Sequence, residues 1–240
     1  MTRTTSGDAT TPRPPRVGPV TLAVVLCTLA VSVAGLTSPA VLAALQRRPG
    51  ELADGQLWRL LSSLLVHNSW IALVGNLIAL AIIGTAAERT LRPGVWVTLY
   101  LLGGITGQLV GLAWQPTGAG NSVAVLGLLA GLTVLALLGR AVPVVALAFG
   151  VVWLLALVAG HLDSTPALAF AAGASAIAGV LIVRLRTRHD AASVPSRPLA
   201  AAVLVAGLAL LALHDIHGPA LLVPTAVAAA VWHRLPTATP

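Results

Sequence analysis

The sequence predicts an all-α fold, a polytopic transmembrane helical bundle of about eight spans, on three observations. Hydrophobic residues make up 57% of the chain and charged ones only 9%. The mean hydropathy is +0.93, a balance that soluble globular domains of this size do not carry. The apolar residues fall in runs close to the roughly 20 that a helix needs to cross a hydrocarbon core about 30 Å thick. Hydrophobicity is continuous within each run, whereas a barrel strand would alternate.

In chain order, spans are expected at about 18–36, 58–83, 94–113, 121–138, 142–160, 166–183, 199–213 and 217–232. Residues 1–16, rich in Thr, Pro and Arg, read as a disordered tail. Residues 17–234 read as one membrane domain. Arg13 and Arg16 ahead of the apolar stretch 20–34 mimic a secretory signal. That stretch is longer than a signal core and further spans follow, so an uncleaved first helix is expected. The connection 37–57, with Arg47, Arg48, Glu51, Asp54 and Gln56, is long enough to have its own role at the membrane surface. Gly103, Gly107 and Gly111 share one face of the third span, and Gly127 and Gly131 repeat the spacing in the fourth. Those two helices can therefore approach closely.

The net charge is +7, but the arginines are dispersed over loops and form no basic face interleaved with aromatics, so no nucleic-acid partner is expected. They fix topology instead. With a cytoplasmic N-terminus, eleven of the fourteen arginines fall inside and only Arg47, Arg48 and Arg59 outside. The expectation is an integral protein of a bacterial plasma membrane, both termini cytoplasmic. Spans four and eight then both run from outside to inside. Ser122, in Gly120-Asn121-Ser122, opens one of them, and His217, in Asp215-Ile216-His217-Gly218, opens the other. A hydroxyl and an imidazole are costly in hydrocarbon, so two at one depth near the outer face suggest a shared task.

Gly118-Ala119-Gly120-Asn121 allows close backbone approach ahead of Ser122. The helix start leaves N–H groups unpaired, and such groups can bind the negative oxygen of a tetrahedral intermediate. An imidazole within hydrogen-bond reach can activate the hydroxyl. Cys27, the one cysteine, lies in the first span and reads as packing. The histidines are scattered over separate segments with no His-Glu-x-x-His, so no metal and no cofactor are expected. His67 reads as a structural hydrogen-bonding group. His161 and Asp163 read as solvated loop residues, and Trp58, Trp70 and Trp114 as interfacial anchors. Asp215 stands two residues before His217 at a helix start, a separation that disfavours it as a support for the ring.

Gly55-Gln56-Leu57-Trp58-Arg59-Leu60-Leu61, then His67, Asn76, Gly84 and Glu88-Arg89, and later Gly120-Asn121-Ser122 with Gly127, resemble in order and spacing the rhomboid intramembrane serine proteases. The resemblance covers about residues 18–138. It implies a rhomboid-like bundle in which Ser122 is the nucleophile, with Asn76 and the Ser122 N–H binding the oxyanion. The family's base is a histidine opening its sixth helix, and residues 166–183 contain none. The segment His217-Gly218-Pro219-Ala220-Leu221-Leu222-Val223-Pro224 resembles the family's His-x-Gly-Gly-x-x-Ala-Gly instead. On this reading 142–183 is a two-helix insertion, which preserves orientation and leaves His217 on the outer side as base.

Three positions depart from the family pattern. Ala72 stands where a second, oxyanion-binding histidine is usual, Val123 where glycine follows the serine, and Pro224 where a small residue would help packing. The resemblance implies cleavage of transmembrane protein substrates near the outer face of the lipid bilayer by a Ser122–His217 dyad. The alternative is an inactive relative that binds membrane helices as a chaperone or scaffold. A transporter is disfavoured, because no acidic residue lies within an expected span.

Overall fold

The structure, a computed structural model, describes residues 17–161 and 196–231. The tail 1–16, the span expected at 166–183 and Asp163 lie outside the described residues. Among those described, the apolar runs are helical and no strand forms. α1 (Pro19–Thr37) leads into two short helices, α2 (Pro39–Leu45) and α3 (Pro49–Ala53), and a single turn, α4 (Arg59–Ser62). α5 (Trp70–Ala79), a π-helical turn (Leu80–Gly84) and α6 (Thr85–Thr90) run on as one helix. α7 (Pro93–Trp114), α8 (Ser122–Leu137) and α9 (Val144–Gly160) follow, and after the undescribed segment come α10 (Ser196–Ala212) and α11 (His217–Val231).

Pro19–Thr37, Trp70–Thr90 and Pro93–Trp114 are long and apolar enough to cross a bilayer, and α8 to α11 are shorter apolar helices of 15 to 17 residues. The second span therefore begins at Trp70, twelve residues after the start expected from hydropathy. Ser69 caps it, its hydroxyl accepting from the Ala72 N–H at 3.2 Å. Helix α11 continues through a buried Pro224 to Val231.

α8 is the axis of the bundle, with every residue from Val123 to Ala136 buried. α7, α9, α10, α11 and the α5–α6 helix pack around it. The closest approach is to α7, where a side chain on Gly103 would sit 2.7 Å from the Gly127 Cα, and one on Gly127 would overlap the Leu99 carbonyl. Gly111 makes room for something else, the guanidinium of Arg47. Glu88 closes a contact between helices at the end of the bundle opposite Ser122. Its carboxylate accepts from the N–H groups of Val20 and Thr21, both at 2.8 Å, and so caps α1 from another helix.

The connection 37–57 is held by two buried arginines. Arg47, with no exposed surface, donates to the Gln108 carbonyl at 3.0 Å, to Gln108 Oε1 at 2.5 Å and to the Gln115 carbonyl. Burial lowers its pKa to about 10, which leaves it charged at neutral pH. Its backbone pairs in both directions with Gly118. Arg59 donates to the carbonyls of Ala43 and Gln46 and to Gln56 Oε1, between 2.8 and 2.9 Å. The loop is thereby tied to the segment that leads into Ser122.

Candidate active site

Two chain reversals bring the candidate residues together. Before α8, Gly120 takes φ +121, a left-handed conformation suited to glycine, and donates its N–H to the Ser63 carbonyl at 2.8 Å. This turns Ser122 into the first residue of α8, where its N–H has no carbonyl partner within the helix. Before α11, the end of α10 is a Schellman closure: the Asp215 N–H bonds to the Leu210 carbonyl and the His214 N–H to that of Leu211. His214 supplies the left-handed residue at φ 55, a place that Gly139 fills at the end of α8. Its ring packs edge-on against Trp114 at 5.2 Å.

Asp215 follows directly, and its side chain turns back on the backbone two residues ahead, as aspartates do in Asx turns. Oδ1 accepts from the His217 N–H at 2.8 Å and from the His217 ring at Nδ1, 2.5 Å away. The far nitrogen of that ring, Nε2, lies 2.8 Å from Ser122 Oγ. Because an ionised carboxylate only accepts, Nδ1 carries the proton, Nε2 is the acceptor, and the Ser122 hydroxyl donates to it. Asp215 Oδ2 accepts from Nε2 of His161, at the end of α9, over 2.6 Å. Burial alone would raise the Asp215 carboxyl. The hydrogen bonds from the ring and backbone of His217, with the bond from His161, outweigh burial and hold it well below the ordinary carboxylate range.

A second cluster lies across Gly120. A side chain on Gly120 would meet Asn76 Nδ2 at 3.4 Å and His67 Cδ2 at 3.5 Å. Asn76 Nδ2 donates to His67 Nε2 at 2.9 Å. His67 Nδ1 then donates to Ser32 Oγ at 2.8 Å, and that hydroxyl donates to the Leu65 carbonyl at 2.8 Å. His67 is fully buried, and burial lowers its pKa to about 4, so the ring is neutral. One hydrogen of the Asn76 amide is committed to His67, and the other remains for a ligand.

Of the expected residues, Ser122 and His217 come within hydrogen-bond distance, and Asn76 lies in the adjoining cluster, bonded to His67 rather than to either of them. Sequence reasoning set Asp215 aside and took His161 as solvated, and both stand in the hydrogen-bonded chain. The Asx-turn habit of aspartate was the available signal for the first. Nothing local marks the second, whose partner lies 54 residues away. Among the described residues no cluster of metal-ligating side chains forms.

Residues 54–189 match the family model of the Rhomboid domain. Over 90 residues the chain is 38% identical to the Rhomboid protease GluP of Bacillus subtilis (strain 168). That stretch is 37% of this chain and 18% of the relative, so under a fifth of the relative's length is matched. The family match takes in His67, Asn76 and Ser122 and ends before His217.

Proposed function

The chain belongs to the rhomboid family, and on that footing we propose that it is an intramembrane serine protease acting on transmembrane protein substrates. The observation that carries this reading is the 2.8 Å contact between Ser122 Oγ and His217 Nε2. Ser122 Oγ attacks the scissile carbonyl carbon as its proton passes to His217 Nε2. The Ser122 N–H and the free hydrogen of Asn76 Nδ2 stabilise the negative oxygen. His217 then protonates the leaving amine as the C–N bond breaks, and a water activated by the same imidazole hydrolyses the acyl-enzyme.

The topology that serves this chemistry is the eight-span one expected from sequence, with both termini cytoplasmic in a bacterial plasma membrane. The tail 1–16 is then a cytoplasmic extension of a membrane domain over 17–234. Cleavage occurs near the outer face, where water reaches both groups. The family match runs through 142–183 and stops short of His217. The reading of 142–183 as an inserted helix pair therefore stands on the position and contact of His217.

A fluorophosphonate probe tests the proposal: the purified protein is expected to label, and Ser122→Ala and His217→Ala to lose labelling. Labelling of Ser122→Ala at the wild-type level removes Ser122 as nucleophile. A second reading, an inactive relative that holds membrane helices, draws on Ala72, which brings no donor to the oxyanion site. It requires that wild type stays unlabelled while it still retains helices.

A further inference from the structure

The hydrogen-bonded chain does not stop at two residues. A neutral imidazole that is to act as base at Nε2 must keep its proton on Nδ1 and its ring facing the hydroxyl. A lone histidine at a helix start has no means of doing either. Here one carboxylate oxygen of Asp215 receives both the backbone N–H and the ring Nδ1 of His217, which fixes tautomer and ring direction together. The other oxygen receives Nε2 of His161, so neither oxygen is left without a donor. The Asp215 side chain is only 7% exposed, where charge interactions are weakly screened. It cannot rotate without breaking a contact on each side.

We infer that Asp215 is a positioning residue that holds His217 in the base-competent tautomer, and that His161 locks Asp215 from the end of α9. This deepens the protease reading and rests on it. As Ser122 Oγ bonds to the substrate carbon, its proton moves to Nε2, and the imidazolium so formed keeps its Nδ1 proton directed at Asp215. Asp215 stays ionised throughout and takes no proton. When the leaving amine receives the Nε2 proton, the ring returns to its starting tautomer. The support comes from three separate elements, the turn after α10, the start of α11 and the end of α9.

Two readouts on the full-length protein in detergent test this. The first is nitrogen and proton NMR of the histidine rings. Wild type is expected to show a low-field Nδ1 proton on His217, identified by its loss in His217→Ala, and Asp215→Asn is expected to abolish that signal. The second is the kinetics of fluorophosphonate labelling. Asp215→Asn is expected to lower the maximal inactivation rate by 10²-fold or more at unchanged probe affinity. His161→Ala is expected to lower it about tenfold, and His161→Gln, which keeps a donor, to restore most of it. If Asp215→Asn labels as fast as wild type, or retains the low-field proton, the positioning role is overturned while the nucleophile assignment stands. If wild type fails to label yet shows the proton, the protease reading falls and the hold of Asp215 on His217 survives. Absence of the proton from wild type overturns the inference outright.

Discussion

His67 is the residue whose environment has the plainest thermodynamic consequence. Its ring is fully buried, bonded on both nitrogens to neutral groups, and its pKa falls from 6.5 to about 4. In the unfolded chain the same ring binds a proton near 6.5, so between these values the unfolded state carries the extra proton. Stability from this site is therefore complete above about pH 6.5 and drains away as pH falls towards 4, on the order of 3 kcal/mol in all. The expected outcome is a fall in the thermal unfolding midpoint of wild type between pH 7 and 5, and a shallower fall in His67→Gln. Equal slopes in the two proteins would show that the ring is not held neutral. The sequence marked His67 as a structural hydrogen-bonding group. It could not name Ser32, 35 residues away, as one of them. Asp215 was the harder residue to read. Its contact with His217 depends on the left-handed turn at His214, and a histidine, though enriched among non-glycine residues at positive φ, is a far weaker signal of such a turn than glycine.

At the scale of elements, the α7–α8 crossing sets the position of the candidate nucleophile, since Ser122 begins the helix that Gly103 and Gly127 allow to approach α7. A methyl group on Gly127 runs into the Leu99 carbonyl, which is backbone and has no rotamer by which to move away. Gly127→Ala must push the helices apart, and is expected to lower stability by about 1–3 kcal/mol and to slow probe labelling as Ser122 shifts from His217. Gly75→Ala is the control. Nothing lies within 4 Å of its new methyl group, and helix propensity favours alanine by up to about 1 kcal/mol. Unfolding in increasing SDS measures both. Equal stabilities for the two variants would show that the crossing tolerates a wider spacing.

The Gly-x-x-x-Gly spacing made this contact readable from sequence, because small residues four apart have one use on an apolar helix. Hydropathy served less well at the second span, where Trp58 to Ser69 counted as helix. Ser69 is the cap that begins that helix at Trp70. The residues before it form the turn α4, whose Arg59 bonds to carbonyls of the preceding connection, and a loop. An apolar loop at a membrane surface and an apolar helix inside it have the same composition, so only the cap distinguishes them.

For the molecule as a whole, the decisive quantity is orientation, since a site that consumes water must face an aqueous compartment. The start of α8 and the start of α11 meet at one end of the bundle, as the Ser122–His217 contact requires. The loop that carries Arg47 and Arg59 is fastened to that same end through the pairing of Arg47 with Gly118. The opposite end carries Glu88, where it caps α1, and the α8–α9 turn with Arg140. On the topology expected from sequence, eleven arginines fall on the side of Arg140 and three on the side of Ser122, a bias of the kind that orients helices during insertion. On that topology the candidate site is expected to face outward. The test places single cysteines at the exposed positions Asp54 and Ala141, one at each end, in a Cys27→Ala background. Intact cells treated with a membrane-impermeant thiol reagent are expected to label Asp54→Cys at once and Ala141→Cys only after lysis. The reverse pattern would put Ser122 on the cytoplasmic side, against the arginine distribution, and would remove the outer-face cleavage reading at its root.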